Sequence, residues 1–178
     1  PSDRPRPAVQ TFRGAVQRVE IDAATAGALR RLAAAEGTSL FAAALAVFCA
    51  LLARWSGQDD LRLGTAAASR PDLALEGLLG LFINTVVLRA DLGGDPAFRS
   101  ALATVRETTL GAFSHAELPF QQLVEALQPE RDLSRSPRFQ VFFSLTAAPL
   151  STLELPGLTM QPQEVHTGAT EFDLAVYL

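Results

Sequence analysis

The 178-residue chain contains no lysine: all fifteen of its basic residues are arginine, set against nineteen acidic ones. With a net charge of −4 and no basic stripe interleaved with aromatics, it lacks the footprint of a nucleic-acid-binding surface. Its single cysteine, Cys49, excludes an internal disulfide and gives no sign of a secreted framework. Cys49 lies in the apolar run SLFAAALAVFCALLA, where a free thiol behaves as a small core residue. That run is shorter than the roughly 20 residues that cross a bilayer, so the expectation is a buried core helix and no membrane span. Histidine is scarce too, with His115 and His166 alone. No H-E-x-x-H, no paired cysteines and no carboxylate cluster at metal spacing occur, which argues against a metal site. GLLGLF lacks the lysine of a P-loop and the pattern of a dinucleotide turn, and there is no G-x-S-x-G elbow. No signal peptide is evident ahead of the first expected strand, so the cytoplasm is the default compartment. The chain begins on Pro1 and stops in a strand-like run, EFDLAVYL, and is expected to be part of a longer polypeptide.

What is present reads as a mixed α/β unit. A Pro-rich, charged segment leads into residues 15–21 (AVQRVEI), which alternate as a strand. Asp22 caps a helix to about Glu36, with Ala26, Leu29 and Leu32 inward and Gly37 past its end. Thr38 or Ser39 caps a second helix reaching Trp55, apolar enough to expect burial on most sides, with Trp55 in the core and Gly57 as terminator. LRLGTAA is the next strand, SRPD a turn, and INTVVLRADL a β-branched strand. Asp95-Pro96 is expected to cap and open a helix to about Ser114 that faces inward with Phe98, Leu102, Val105, Thr109 and Phe113. Pro119 starts a short helix with Phe120, Leu123, Val124 and Leu127 on one face. A charged loop over 128–137 precedes an apolar strand, FQVFFSL, and two more strand-like runs, LTMQPQEV and EFDLAVYL, close the chain. Strands alternating with helices, then strands together, predict a mixed sheet with helices packed on it.

Few residues are placed for chemistry. His115 ends a helix, where its ring satisfies terminal carbonyls; His166 sits in a polar, exposed segment. Asn84 and Thr85 open a strand after GLLGLF. Either they bond local backbone at a strand-entering turn, or the amide projects into a cleft, where it donates to and accepts from a substrate amide. Arg131, Asp132, Ser134 and Arg135 form a charged loop before Pro137, in which the carboxylate takes backbone N–H groups and the arginines pair locally. On these residues alone the chain is a mixed α/β unit without a self-sufficient active site.

The motifs carry more. HAELPFQQLVEALQPERDLSRSPRFQVFF resembles the H-x-D-Y-P-F-E and R-D-x-S-R-x-P-L-F motifs of condensation domains of nonribosomal peptide synthetases. GTAAASRPDLALEGLLGLFINTVVLR is similar to their G-T-x-x-x-x-R and I-G-x-F-V-N-T segments, in the same order and spacing. Departures are modest. Ala116 and Leu118 stand where a polar residue and Tyr are usual, Gln121 replaces Glu, residues 67–69 replace a Gly-containing turn, and Arg138 replaces Leu.

The resemblance implies a chloramphenicol-acetyltransferase-like lobe, α/β (α+β), with a mixed β-sheet and packed helices, one half of a pseudo-dimer. It implies an N-terminal linker over residues 1–14 and the C-terminal lobe over 15–178. Such domains join a donor aminoacyl or peptidyl thioester to an acceptor amine. Each substrate rides on a phosphopantetheine arm of a carrier protein, and no cofactor is bound directly. The H-H-x-x-x-D-G motif that positions the amine belongs to the other lobe and is absent here, so no catalytic residue and no metal ligand is expected in this chain. Asn84, Thr85 and Arg70 match channel-lining positions. His115, Pro119, Phe120, Arg131, Asp132, Ser134 and Pro137 match positions read as structural. Residues 146–158 correspond to a latch toward the other lobe. The implied partners are the N-terminal lobe, the donor and acceptor peptidyl carrier proteins and an adenylation domain, with neither nucleic acid nor membrane. An exposed lobe contact also implies self-association of the isolated chain. Two alternatives stay open: a noncatalytic docking module that recruits a partner enzyme, and an epimerisation or heterocyclisation lobe.

Overall fold

Two side-chain caps set the first helices, and both follow from local sequence. In the computed structural model, which describes residues 3–68, 70, 73–127, 132–146, 152–163 and 165–178, Asp22 accepts the Thr25 N–H at 2.8 Å and opens α1, Ala23–Ala35. The Ser39 hydroxyl accepts the Ala42 N–H at 3.1 Å and opens α2, Leu40–Ser56, which ends on Gly57 at φ 72°. A left-handed terminator of that kind favours glycine because no Cβ meets the preceding turn. α2 buries Ala42, Ala43, Ala44, Leu45, Ala46 and Cys49, small residues that let neighbouring backbones come close.

β1, Asp60–Ala68, pairs antiparallel with β2, Ile83–Asp91, along its whole length. α3 is Phe98–Ser114 and α4 is Phe120–Leu127. β3, Val141–Ser144, then lies parallel to β1, and β6, Leu174–Tyr177, parallel to β3. The result is a mixed four-stranded sheet in the order β2-β1-β3-β6, and a separate hairpin of β4, Leu153–Leu155, with β5, Leu158–Met160. A parallel pair cannot close through a tight turn, so the α3–α4 crossover between β2 and β3 follows from the topology.

The two faces of the sheet are covered differently. Leu63, Leu88, Ala90, Phe143 and Leu102 join α2 in the main core, with Phe143 against Phe41 and Phe48 at 5.5 Å between ring centres. Phe142, one residue earlier on β3, points to the opposite face, where it stacks on Phe172 at 4.9 Å and 6°. Alternation along a strand requires this division.

Four expectations fail. Residues 15–21 form no strand: apart from one bridge, Arg13 to Ala169, the segment has no ladder partner, and Val16, Val19 and Ile21 are exposed. Burial of α2 is one-sided, because Val47, Leu51 and Trp55 lie in one stripe turned to solvent; Trp55 is 67% exposed and not in the core. α3 starts at Phe98 with Ala97 at the cap and no side-chain capping bond, since Asp95 takes φ 50° and leaves the extended geometry that a capping residue needs. In LTMQPQEV only Leu158–Met160 is strand. Residues 6–14 are stitched to the rest of the chain: the Gln10 N–H donates to the Leu133 carbonyl at 2.9 Å, the Thr170 N–H to the Phe12 carbonyl at 2.7 Å, and Arg6 pairs with Asp173.

Candidate functional site

The resemblance-bearing segments meet on the sheet face opposite α2. Phe139, 2% exposed, is the centre. Its ring lies against β1 so closely that a Cβ on Gly64 would overlap its Cε2 and Cζ atoms. A glycine inside a strand commonly marks this kind of close approach. Phe120 and Phe172 complete the cluster, with ring centres 5.8 and 5.4 Å from that of Phe139. The helix that carries Phe120 begins where the Leu123 N–H donates to the Pro119 carbonyl at 3.2 Å.

Asn84 locks this cluster from the β2 side. Its Nδ2 donates to the carbonyls of Ala116 at 2.8 Å and Leu118 at 2.6 Å, and its Oδ1 accepts the Phe120 N–H at 3.2 Å. Both amide protons and one oxygen lone pair are therefore spent on the α3–α4 turn. Of the two readings open in the sequence, the side chain as it stands is turned to backbone, and that backbone belongs to a distant turn. Thr85, half-buried, lies opposite Ala66 in the β1–β2 register.

Arg70 is bound up with its own loop. It donates to the carbonyls of Leu75 and Glu76, the latter at 2.9 Å, and its guanidinium lies 4.1 Å from the centre of the Phe82 ring. These contacts gather the 70–82 arc around one cation. His115 closes α3, with Nδ1 2.8 Å from the Gly111 carbonyl oxygen and 3.0 Å from the Ser114 hydroxyl. Asp132 accepts the Ser134 N–H at 2.9 Å and the Ser134 hydroxyl at 2.5 Å, and pairs with Arg135 at 2.6 Å. The Ser134 bonds, then the arginine charge, hold the Asp132 carboxyl below the usual carboxylate range. Pro137 is exposed and its carbonyl accepts the Phe139 N–H at 3.0 Å. Arg131 and the first part of the latch segment lie outside the described residues; the β4–β5 hairpin that follows is exposed.

No group here is built as a nucleophile. Cys49 is fully buried, and burial pushes its thiol up to about 12, so the reactive thiolate is suppressed. His166 spends Nε2 on the Gly14 carbonyl at 3.0 Å. Among the described residues no group of histidine, cysteine or carboxylate side chains can hold a metal ion. Nor is any single described helix long and apolar enough to cross a membrane. Sequence reasoning missed Gly64 and Phe139 as the centre of the cluster; the only available hint was a glycine within a strand-like run.

The sheet with its packed helices defines a lobe of the chloramphenicol-acetyltransferase-like type, and solved structures bear this out. A four-domain nonribosomal peptide synthetase, holo-AB3403 bound to AMP and glycine, superposes with a TM-score of 0.90 at 27% identity, over 99% of this chain and 14% of that one. The X-domain from teicoplanin biosynthesis superposes at 0.83 with 32% identity, over 97% of this chain and 39% of that one.

The condensation-domain family model matches residues 1–178, and the chain belongs to that family. A linear gramicidin synthase from Brevibacillus parabrevis is 47% identical over 99% of the chain, and a surfactin synthase from Bacillus subtilis (strain 168) is 38% identical over 98%. The chain spans only 4% and 5% of the lengths of those two synthetases.

Proposed function

We propose that residues 15–178, led by the 1–14 segment, act as the C-terminal lobe of a condensation domain in a nonribosomal peptide synthetase, working in the cytoplasm. With its N-terminal lobe it walls the tunnel in which a carrier-bound amine attacks a carrier-bound aminoacyl or peptidyl thioester. The C–N bond forms, the C–S bond breaks, and the amine proton leaves with the released phosphopantetheine thiol. A thioester is already activated toward an amine, so the domain contributes chiefly by holding the two together. In this reading Asn84 is a positioning residue that fixes the 116–120 turn, and Arg70 with Thr85 shapes the 70–82 arc at the tunnel wall. The other partners are the two carrier proteins and an adjoining adenylation domain.

The observation that carries the proposal is the convergence of all the matched motif segments on one cluster, in a chain that matches the family over its whole length. The test joins this chain to an N-terminal lobe bearing H-H-x-x-x-D-G and measures amide formation between loaded donor and acceptor carriers. The joined lobes should turn over and the isolated chain should not. Turnover by this chain alone, or none by the joined lobes, sinks the proposal. Exposed Leu78, Leu79, Leu81 and Ile83 should also make the isolated chain self-associate, so a monodisperse monomer in light scattering counts against a missing lobe contact.

A docking role is the second reading. It is favoured by the 0.83 superposition on the teicoplanin X-domain, which has also been solved in complex with OxyB. Joined lobes that bind a tailoring enzyme but form no amide would support it.

A further inference from the structure

A cleft of about 1090 Å³ opens between the C-terminal end of α2, the first half of β1, α4 and the segment leading into β3. Its wall is part apolar, through Leu52, Val124 and Val141, and part cationic, through Arg62, Arg135 and Arg138. The charges do not cancel. Arg135 is matched by Asp132, and Asp60 is taken by Arg89 at 2.7 Å. Arg62 faces Arg89 across the β1–β2 ladder, so two cations share that one aspartate. Arg62 and Arg138 have no ion pair or hydrogen bond of their own among the described residues, and Glu125 is the carboxylate left to oppose them.

Arg138 is the more telling of the two. It stands where the family motif has Leu, takes a left-handed backbone at φ 74°, and has Nε and Nη2 sealed from water without an acceptor. Guanidinium donors withdrawn from water and left without an acceptor are costly, and an anion that reaches them removes the cost. We propose that this cleft binds a phosphate group, with Arg138 as the principal ligand and Arg62 as the second cation. Two unmatched guanidinium groups on separate elements suit a dianion better than a single carboxylate, and the apolar wall suits a phosphate ester over the free ion.

The test titrates the chain with inorganic phosphate, phenyl phosphate and acetate at matched ionic strength, following amide shifts of residues 132–141 by NMR. Saturable shifts with phosphate, tighter with phenyl phosphate and absent with acetate, are expected. Arg138→Leu, which installs the family residue and removes an unpaired charge, should fold and weaken binding by at least about tenfold. Arg62→Gln, at an exposed strand position, gives an independent variant that should weaken it severalfold. Binding unchanged in both variants, an equal response to acetate, or no saturable shift in the wild-type chain overturns the proposal.

Discussion

The Phe139 cluster and the 70–83 arc are cut from the same motif segments, yet they meet opposite fates. Gly64 and Arg70 belong to one segment; the 79–82 stretch and Asn84 belong to another. The members that reach the cluster are closed off within the chain, with Gly64 against a buried ring and Asn84 bonded three times to backbone. The members in the arc are bare: Leu79 is fully exposed and Leu81 is 86% exposed, tied down only through Arg70. A shared motif therefore has two physical causes. One half is dictated by the packing of this lobe on itself, and the other is apolar surface that nothing in the described chain covers.

The comparison breaks most visibly at its centre. Phe139→Ala should cost about 3–5 kcal/mol, the range for deleting a buried aromatic, read from the urea midpoint at constant m-value. Gly64→Ala should cost about 1–3 kcal/mol in the wild-type chain, because a fully packed ring has nowhere to yield to the new Cβ. In the Phe139→Ala background the same substitution should become nearly neutral. Additive costs in that double-mutant cycle would mean that the contact does not hold the two segments together.

Asn84→Ala should come next, at roughly 2–3 kcal/mol, because it orphans two carbonyls and one N–H of the α3–α4 turn. Hydrogen exchange should speed up at Phe120 before it does in α2. A variant that keeps full stability would return Asn84 to the tunnel side of the comparison.

How much of this could be read beforehand depends on range. The caps at Asp22 and Ser39 and the stop at Gly57 are decided within one turn of chain, so the sequence announces them. The fate of Trp55 is not local: an apolar helix shows that it wants cover on several sides, not which sides receive it. Residues 15–21 alternate like a strand, but a strand also needs a partner edge, and none adjoins them. Asp95-Pro96 has the right residues for a cap, but the preceding Gly93-Gly94 turn carries Asp95 into left-handed backbone. Asn84 reaches a turn 32 residues further on, a distance at which spacing and periodicity are silent. The family motifs indicated that these residues matter without saying that they matter to one another.

The arc supplies the control. Leu79→Ser and Leu81→Ser should each change the stability of the isolated chain by no more than about 0.5 kcal/mol, as for surface sites without special contacts. They should reduce self-association in light scattering while leaving the melting midpoint in place. A loss approaching that of Asn84→Ala would show that the arc belongs to the core and would erase the contrast.

The smallest effect concerns how the strand that carries Phe139 is approached. Asp132 orders the turn ahead of Pro137 through Ser134 and Arg135, and its folded carboxyl lies below the ordinary range. A depressed folded pKa means that the ionised form is favoured by folding, so the contribution is complete above the unfolded value of about 3.9. As pH falls through the lower folded value, the unfolded chain is protonated first and the stabilisation drains away. The stability difference between wild type and Asp132→Asn should therefore be flat from neutral pH to mildly acidic conditions, then shrink below the usual carboxylate range. The group is exposed, so the difference should be small and should fall further with salt. A difference that grows on acidification, or that stays constant through the acid range, would mean that Asp132 orders the turn by shape alone and that its charge adds nothing to the Phe139 side of the molecule.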